Sequence, residues 1–283
     1  MLLKARKYWN KHKSQENCQE KAQKMTKHQE TAQDQTFSYA VMAETIEKIC
    51  QHSAQLPDLA IETTGDTSID WFLNTQRLNP PKLDHTRLSL FVSGHRVQTD
   101  YKIVVEGGSA LTSYIEAIDA DLRVFELSDN ESGTLSEREA VLAMTYGMMN
   151  VEEGLHALVL HGVMNEGETF PIPEFKTVDE AFSYIEMHGT DRLAALIGSI
   201  LAARMGNIPV FLSGELALIS VRILGNIDPI LTTHCLYAGL VKCREKEILG
   251  SLEVMIIDAD SEPVIASAAI TMIQQWQTLF YQS

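Results

Sequence analysis

The sequence has few cysteines and no long apolar run. Its four cysteines, Cys18, Cys50, Cys235 and Cys243, form no Cys-x-x-Cys pair and no spacing typical of a zinc site. Because this usage fits free thiols in a reducing compartment, we expect a cytoplasmic protein. No segment approaches the roughly 20 apolar residues of a membrane-spanning helix. The amino terminus also lacks the continuous apolar stretch of a secretory signal, so we expect no membrane association.

Positive charge is also scarce. The 283 residues include 23 Lys and Arg against 38 Asp and Glu, which gives a net charge of −15. A general nucleic-acid-binding protein needs a basic surface, so we expect no nucleic-acid partner. Residues 1–36 are the exception, with eight basic and four acidic residues but no apolar periodicity. We predict a disordered or loosely helical tail there, followed by a single domain over residues 37–283.

Short β-rich runs alternate with longer helical patterns from residue 37 onward. The predicted strands cover residues 87–92, 122–127, 156–162, 208–214, 229–234 and 252–257. Helical patterns separate them, and Ser136 with Glu139 forms a capping box at the start of one helix. Strands that are apolar on both faces and separated by helices are typical of a parallel sheet covered on both sides. We therefore predict a three-layer, doubly wound α/β fold with a mostly parallel sheet of about six strands.

The predicted strand ends collect small residues, glycines, histidines and carboxylates. In open parallel sheets, ligands bind beyond the carboxyl ends of the strands. The sequence therefore predicts a binding pocket along this edge. The predicted ends are Ser93-Gly94-His95-Arg96, Ser128-Asp129, His161-Gly162, Ser213-Gly214-Glu215, Thr233-His234 and Asp258-Ala259-Asp260-Ser261-Glu262.

Each of these features also has a simpler interpretation. A glycine at a strand end often only forms a tight turn. His161, on an apolar strand, could be a hydrogen-bonded core histidine and not a catalytic residue. Asp258, Asp260 and Glu262 could hold a metal ion, but carboxylates ahead of a helix more commonly complement its dipole. We expect neither a metal ion nor a cofactor.

The order of six segments resembles that of a known enzyme family. The segments are "LSLFVSGHRV", "EGGSALTSYIEAIDADLRVFELS", "GTLSEREAVLAMTYGMM", "HALVLHGVMNEGET", "RLAALIGSILAARMGNIPVFLSGELAL" and "LGSLEVMIIDADSEPVIASAAI". Together, from about residue 88 to 280, they resemble nicotinate-nucleotide–dimethylbenzimidazole phosphoribosyltransferase, which makes the lower-ligand nucleotide of cobalamin. The resemblance implies a homodimer whose partners are a small-molecule nucleotide and an aromatic base.

Two motifs of that family fall on glycine-containing stretches of this chain. The family's Gly-Asp-His-Gly-Val turn falls on residues 93–97, where His95 and Val97 match. Its phosphate-binding loop, of the type Gly-Glu-Met-Gly-Ile-Gly-Asn, falls on "HGVMNEGET", where Gly162 and Gly167 are retained. Asn165 and Glu166 replace glycines of that loop and add a negative charge, which the positive charge of Arg96 would offset.

The remaining motifs complete the implied site. The family's Asp-Gly turn falls on Ser213 and Gly214, and counting forward from His234 places Glu262 on the catalytic glutamate. A desolvated carboxylate at Glu262 would take a proton from an azole base while the other ring nitrogen attacks C1′ of nicotinate mononucleotide. The substrate-binding positions that the resemblance implies are Ser93, Gly94, His95, Arg96, Gly162, Gly167, Ser213 and Gly214.

The substitutions within these motifs leave two hypotheses open. The first is a divergent phosphoribosyltransferase that acts on nicotinate mononucleotide or a similar donor. The second is a catalytically inactive homologue that serves as a nucleotide-binding or protein-interaction module.

Overall fold

Six parallel strands form one sheet in the computed structural model, which describes residues 37–57, 64–78, 80–93, 109–128, 134–250, 252, 254–258 and 266–281. The sheet order is β2-β1-β3-β4-β5-β6, and every neighbouring pair is parallel. The predicted parallel α/β fold is therefore confirmed. The strands are β1 (Thr86–Ser93), β2 (Asp121–Leu127), β3 (Ala157–Gly162), β4 (Val210–Ser213), β5 (Cys235–Gly239) and β6 (Met255–Asp258).

Helices cover both faces of this sheet. One core packs the sheet against α1, α4, α5, α6 and α7, and a second core packs the other face against α2, α3 and α9. No helix among the described residues is long and apolar enough to cross a membrane. The α-helices within the described ranges are α1 (Tyr39–Ala54), α2 (Thr67–Gln76), α3 (Ala110–Glu116), α4 (Glu137–Met148), α5 (Val178–His188), α6 (Asp191–Met205), α7 (Glu215–Ile227), α8 (Cys243–Leu249) and α9 (Ser267–Tyr281).

Capping side chains fix where two of these helices begin. At α4, the Ser136 hydroxyl accepts the N–H of Glu139, and the Glu139 carboxylate accepts the N–H of Ser136. Thr177 and Glu180 form the same reciprocal pair at α5. Each pair satisfies two backbone N–H groups that have no partner inside the helix. The capping box predicted at Ser136 is confirmed.

The predicted strand at residues 229–234 is wrong. Asp228 accepts the N–H of Ile230 at 2.9 Å, and Pro229 opens a 3₁₀ turn over Pro229–Leu231, so the chain turns before β5 begins at Cys235. His234 therefore lies at the amino end of β5, away from the carboxyl edge. Its buried Nε2 donates to the Ile200 carbonyl at 3.0 Å, and burial lowers the pKa of His234 to about 3.

Candidate functional site

The strand order of the sheet reverses between β1 and β3. From β1 the chain crosses to β2 through α3 on one face, whereas from β3 it reaches β4 through α5 and α6 on the other. Connections that leave neighbouring strands on opposite faces open a crevice at the carboxyl edge, where ligands bind in this class of fold. Three predicted site residues, Ser93, Gly162 and Ser213, end the adjacent strands β1, β3 and β4. The structure therefore brings these three together.

Ser93 ties the end of β1 to the turn after β3. Its side chain is fully buried, and its hydroxyl donates to Oδ1 of Asn165 at 2.9 Å. The pairing of β1 with β3 also extends one residue past the end of β3, because the N–H of Val163 donates to the Phe91 carbonyl at 2.9 Å. The two strand ends are thus fixed next to each other by backbone and side-chain hydrogen bonds.

A tight turn over residues 165–168 follows β3. The N–H of Glu168 donates to the Asn165 carbonyl at 3.1 Å, and the N–H of Asn165 donates to Oε2 of Glu168 at 2.8 Å. Gly167 has φ of +77°, a conformation that L side chains rarely adopt. The segment that the resemblance assigns to the phosphate is therefore an ordered turn, with the carboxylate of Glu168 bonded inside it.

A buried arginine anchors this turn to the protein core. Arg192, in the first turn of α6, is 2% exposed, and its Nη2 lies 2.7 Å from Oε1 of Glu168. Its Nη1 also donates to the Val163 carbonyl. Because a buried charge needs a paired and hydrogen-bonded partner, Arg192 and Glu168 hold the turn in one position.

His161 and Ser213 lie side by side on the opposite face of the sheet from the α6 helix. Nδ1 of His161 is 3.1 Å from the Ser213 hydroxyl, and the two residues are paired in the β3–β4 register. Burial lowers the pKa of His161 to about 4, so the ring is neutral at pH 7. Ser213 is buried, and its hydroxyl with the neutral imidazole forms a polar, uncharged pair of the kind that can hydrogen-bond a sugar.

Gly214 connects this pair to the start of α7. Its φ of +82° and ψ of 164° lie in a region that is essentially restricted to glycine. A Cβ at this position would lie 2.9 Å from Cε1 of His161. Gly214 is also the N-cap of α7 and has no side chain to cap it, whereas the N–H groups of a helix start attract anions.

Arg244, in the first turn of α8, joins three segments at the rim of this edge. Its Nε donates to Oε1 of Glu215 at 3.1 Å and its Nη2 donates to the Phe170 carbonyl, just beyond the β3 turn. These bonds, with Glu215 first, raise the pKa of Arg244 above its ordinary value. Arg244 therefore stays charged and links α7, α8 and the segment after β3.

Several predicted site residues lie outside the described residues. Gly94, His95, Arg96 and Glu262 are among them, so their positions relative to Ser93 and Gly214 stay predictions. Asp258 is described, and its Oδ1 accepts the N–H of Val241 at 3.0 Å, which joins the ends of β5 and β6. Within the described ranges, no group of three or more His, Cys, Asp or Glu residues is arranged to hold a metal ion.

Sequence reasoning missed Asn165 as a partner of Ser93, and it missed the roles of Glu168, Arg192 and Arg244. One signal was present for Arg192. It is the second residue of its helix and directly precedes the apolar and small residues 193–203, and a basic residue beside such a run needs an acidic partner when it is buried. The sequence does not indicate that this partner is Glu168, because the two meet only through the packing of α6 against the β3 turn.

No family model matches the chain. It is 27% identical over 208 residues to nicotinate-nucleotide–dimethylbenzimidazole phosphoribosyltransferase of Rhizobium leguminosarum bv. trifolii (strain WSM2304), a match that covers 53% of this chain and 59% of the relative. It is 25% identical over 216 residues to the protein of the same name from Rhizobium meliloti (strain 1021), covering 56% of this chain and 64% of the relative. The chain thus spans about three fifths of the length of these curated relatives.

Solved structures show the same fold. A crystal structure of CobT from Thermus thermophilus matches with a TM-score of 0.55, and one of nicotinate-nucleotide–dimethylbenzimidazole phosphoribosyltransferase from the same organism matches with 0.57. Both are 13% identical and cover 84% of this chain and 96% of the solved chain. The chain is thus remotely similar in sequence to the nicotinate-nucleotide–dimethylbenzimidazole phosphoribosyltransferases of the rhizobia, and it shares the fold of the two solved structures.

Proposed function

We propose that the chain transfers phosphoribose from nicotinate mononucleotide, or a similar nucleotide, to an azole base such as 5,6-dimethylbenzimidazole. The curated relatives carry this activity in their names. One observation carries the proposal. The carboxyl ends of β1, β3 and β4 lie together where the strand order of the sheet reverses. There, Ser93 contacts Asn165 and His161 contacts Ser213, beside the start of α7.

The reaction exchanges one bond at the ribose C1′ for another. The bond from C1′ to the nicotinate nitrogen breaks and its electron pair leaves with nicotinate, while an unprotonated azole nitrogen forms the new bond. The other azole nitrogen then loses its proton, and Glu262 is the proposed acceptor of that proton. Because C1′ carries positive charge in the transition state, negative charge nearby lowers the barrier.

The described residues supply the binding surface for this donor. Gly214 has no side chain of its own to cap α7, so a phosphate can approach the N–H groups in the first turn of this helix. Ser213 and the neutral His161 offer hydrogen bonds to ribose hydroxyls without adding charge at the reacting carbon. Arg244 and Arg192 fix the surrounding turns and do not need to touch the substrate.

A second function is favoured by one observation. The carboxylate of Glu168 accepts the N–H of Asn165, inside the turn that the resemblance assigns to the phosphate. A negative charge at that point opposes phosphate binding there. Of the two roles expected of an inactive homologue, nucleotide binding or protein interaction, this arrangement favours protein interaction.

A turnover assay separates the two functions. Release of nicotinate from nicotinate mononucleotide, measured by chromatography with a panel of benzimidazoles, should fall by about 100-fold or more in Glu262→Gln because the proton acceptor is lost. Glu174→Gln is the matched control and should turn over at the wild-type rate. Glu174 is exposed and follows Pro173, whose carbonyl accepts from Asn226 at the end of α7 remote from Gly214. Equal background release by the wild-type protein and Glu262→Gln would refute the transferase and leave the binding module.

We further propose that residues 37–283 act as one domain in a cytoplasmic homodimer. Light scattering of the purified chain should then give about twice the 31.6 kDa of one chain. A mass equal to one chain at micromolar concentration would refute the dimer.

A further inference from the structure

A pocket of about 640 Å³ lies at the edge of the sheet opposite the candidate site. It is bordered by Asn207, which precedes β4, and by Thr233, which precedes β5, so it opens at the amino ends of the strands. A five-residue strand such as β5 separates the two edges by roughly 15 Å. The volume suits a small metabolite. This pocket is therefore distinct from the proposed transferase site.

The pocket contains a buried arginine that has no carboxylate partner among the residues described. Arg204 is 8% exposed, and its Nε donates to the Ile230 carbonyl at 3.0 Å. The ion pairs formed within the described ranges do not include it. Its neighbours Cys50 and His234 are neutral at pH 7, because burial raises the pKa of Cys50 to about 11 and lowers that of His234. Among the described residues, the guanidinium is thus desolvated without a countercharge.

A second arginine lines the same pocket. Arg77 ends α2 in the left-handed conformation, and its Nη2 donates to the Pro57 carbonyl. Its charge lies close enough to Arg204 to lower the pKa of Arg204, after the larger effect of burial. Two like charges held together in a partly buried pocket favour the binding of an anion between them.

Two further polar atoms in the pocket lining have no hydrogen-bond partner within the part of the chain that the structure describes. They are Oγ of Ser53, in a side chain 6% exposed, and Oδ1 of Asn207. Buried polar atoms in native proteins nearly always have a partner, so each is a position where a ligand atom or an ordered water molecule would complete a hydrogen bond. A hydroxyl can donate to a phosphate oxygen, and an amide oxygen can accept from a ligand hydroxyl.

We propose that this amino-edge pocket binds a small phosphorylated molecule that also carries hydroxyl groups, such as a sugar phosphate. The phosphate lies between Arg77 and Arg204 with Ser53 as a further donor, and a ligand hydroxyl donates to Asn207. The inference does not depend on the proposed transferase function, because none of these residues lies at the carboxyl edge.

Calorimetric titration tests the proposal, with inorganic phosphate and ribose 5-phosphate as probes and chloride at equal ionic strength as the blank. Arg77→Gln should weaken the binding of both probes at least tenfold. Lys176→Gln removes an exposed positive charge outside the pocket and should bind within twofold of the wild-type protein. Ribose 5-phosphate should bind more tightly than phosphate, and Asn207→Leu should remove that difference.

Arg77→Gln is the decisive variant, because Arg77 is partly exposed and its replacement leaves the core packing unchanged. The proposal is overturned if the wild-type protein binds neither probe above the chloride blank, or if Arg77→Gln binds both as tightly as the wild-type protein does. A crystal soaked in ribose 5-phosphate separates this site from the transferase site. Density between Arg77 and Arg204 supports the proposal, and density at Gly214 alone contradicts it.

Discussion

Replacement of Gly214 by alanine should destabilise the protein through two separate effects. The backbone at Gly214, with φ of +82° and ψ of 164°, is strained for any L residue by about 1–3 kcal/mol. The added Cβ would also lie 2.9 Å from Cε1 of His161, and such overpacking typically costs about 1–3 kcal/mol. We therefore expect the free energy of unfolding of Gly214→Ala to fall by about 3–4 kcal/mol.

Gly167→Ala is the matched control for this variant. Gly167 has a similar φ of +77°, but a Cβ there would meet no atom within 4 Å. It should lose only the backbone part, about 1–2 kcal/mol. Urea unfolding followed by circular dichroism measures both variants.

A double-mutant cycle isolates the steric part of the Gly214→Ala effect. His161→Ala removes the ring that the new methyl group would meet. The double variant should therefore be more stable, by about 1 kcal/mol or more, than the sum of the single effects predicts. The reasoning is refuted if Gly214→Ala is no less stable than Gly167→Ala, or if the cycle shows no coupling between positions 161 and 214.

Two further predictions concern buried charges and histidines. Arg192→Met should lower the free energy of unfolding by about 3 kcal/mol or more, because it removes the ion-pair partner of Glu168, whose side chain is only 16% exposed. Arg123→Met, with a side chain 39% exposed, should cost less than about 1 kcal/mol. Equal urea midpoints for the two variants would contradict this. In the folded protein, the pKa values of His161 and His234 are lowered to about 4 and 3. As the pH falls below 6.5, these two histidines therefore bind protons in the unfolded state before they do so in the folded state. Stability should then drop by about 1 kcal/mol per histidine between pH 6.5 and 5.5, and a flat profile in this range would contradict the burial of these two rings.

Much of the fold could be predicted from the sequence because its strands are buried on both faces. Apolar runs such as residues 87–92 and 122–127 leave few alternatives to a strand inside a parallel sheet. The error at residues 229–234 has a local cause. Ile230 and the threonines that follow it favour a strand, but Asp228 and Pro229 start a turn. The actual strand, Cys235–Gly239, includes a glycine and an alanine and is fixed by burial between its neighbours.

The site was predictable only where it depends on strand ends. Ser93, Gly162, Ser213 and Gly214 follow from the rule that ligands bind at the carboxyl edge of a parallel sheet. The contact between Ser93 and Asn165 spans 72 residues, and such a pair depends on how the strands are ordered in space. Periodicity reports which face of an element is buried and does not report which polar side chains from different elements meet.

The central claim is that a nucleotide binds over the carboxyl ends of β1, β3 and β4. A crystal structure of the chain with nicotinate mononucleotide tests it most directly. We expect the ribose and phosphate within hydrogen-bonding distance of Ser213 and of the backbone at Gly214, next to the turn that Arg192 anchors. Nicotinate mononucleotide found only at the amino-edge pocket beside Arg204, or an empty carboxyl edge at saturating concentration, would contradict it.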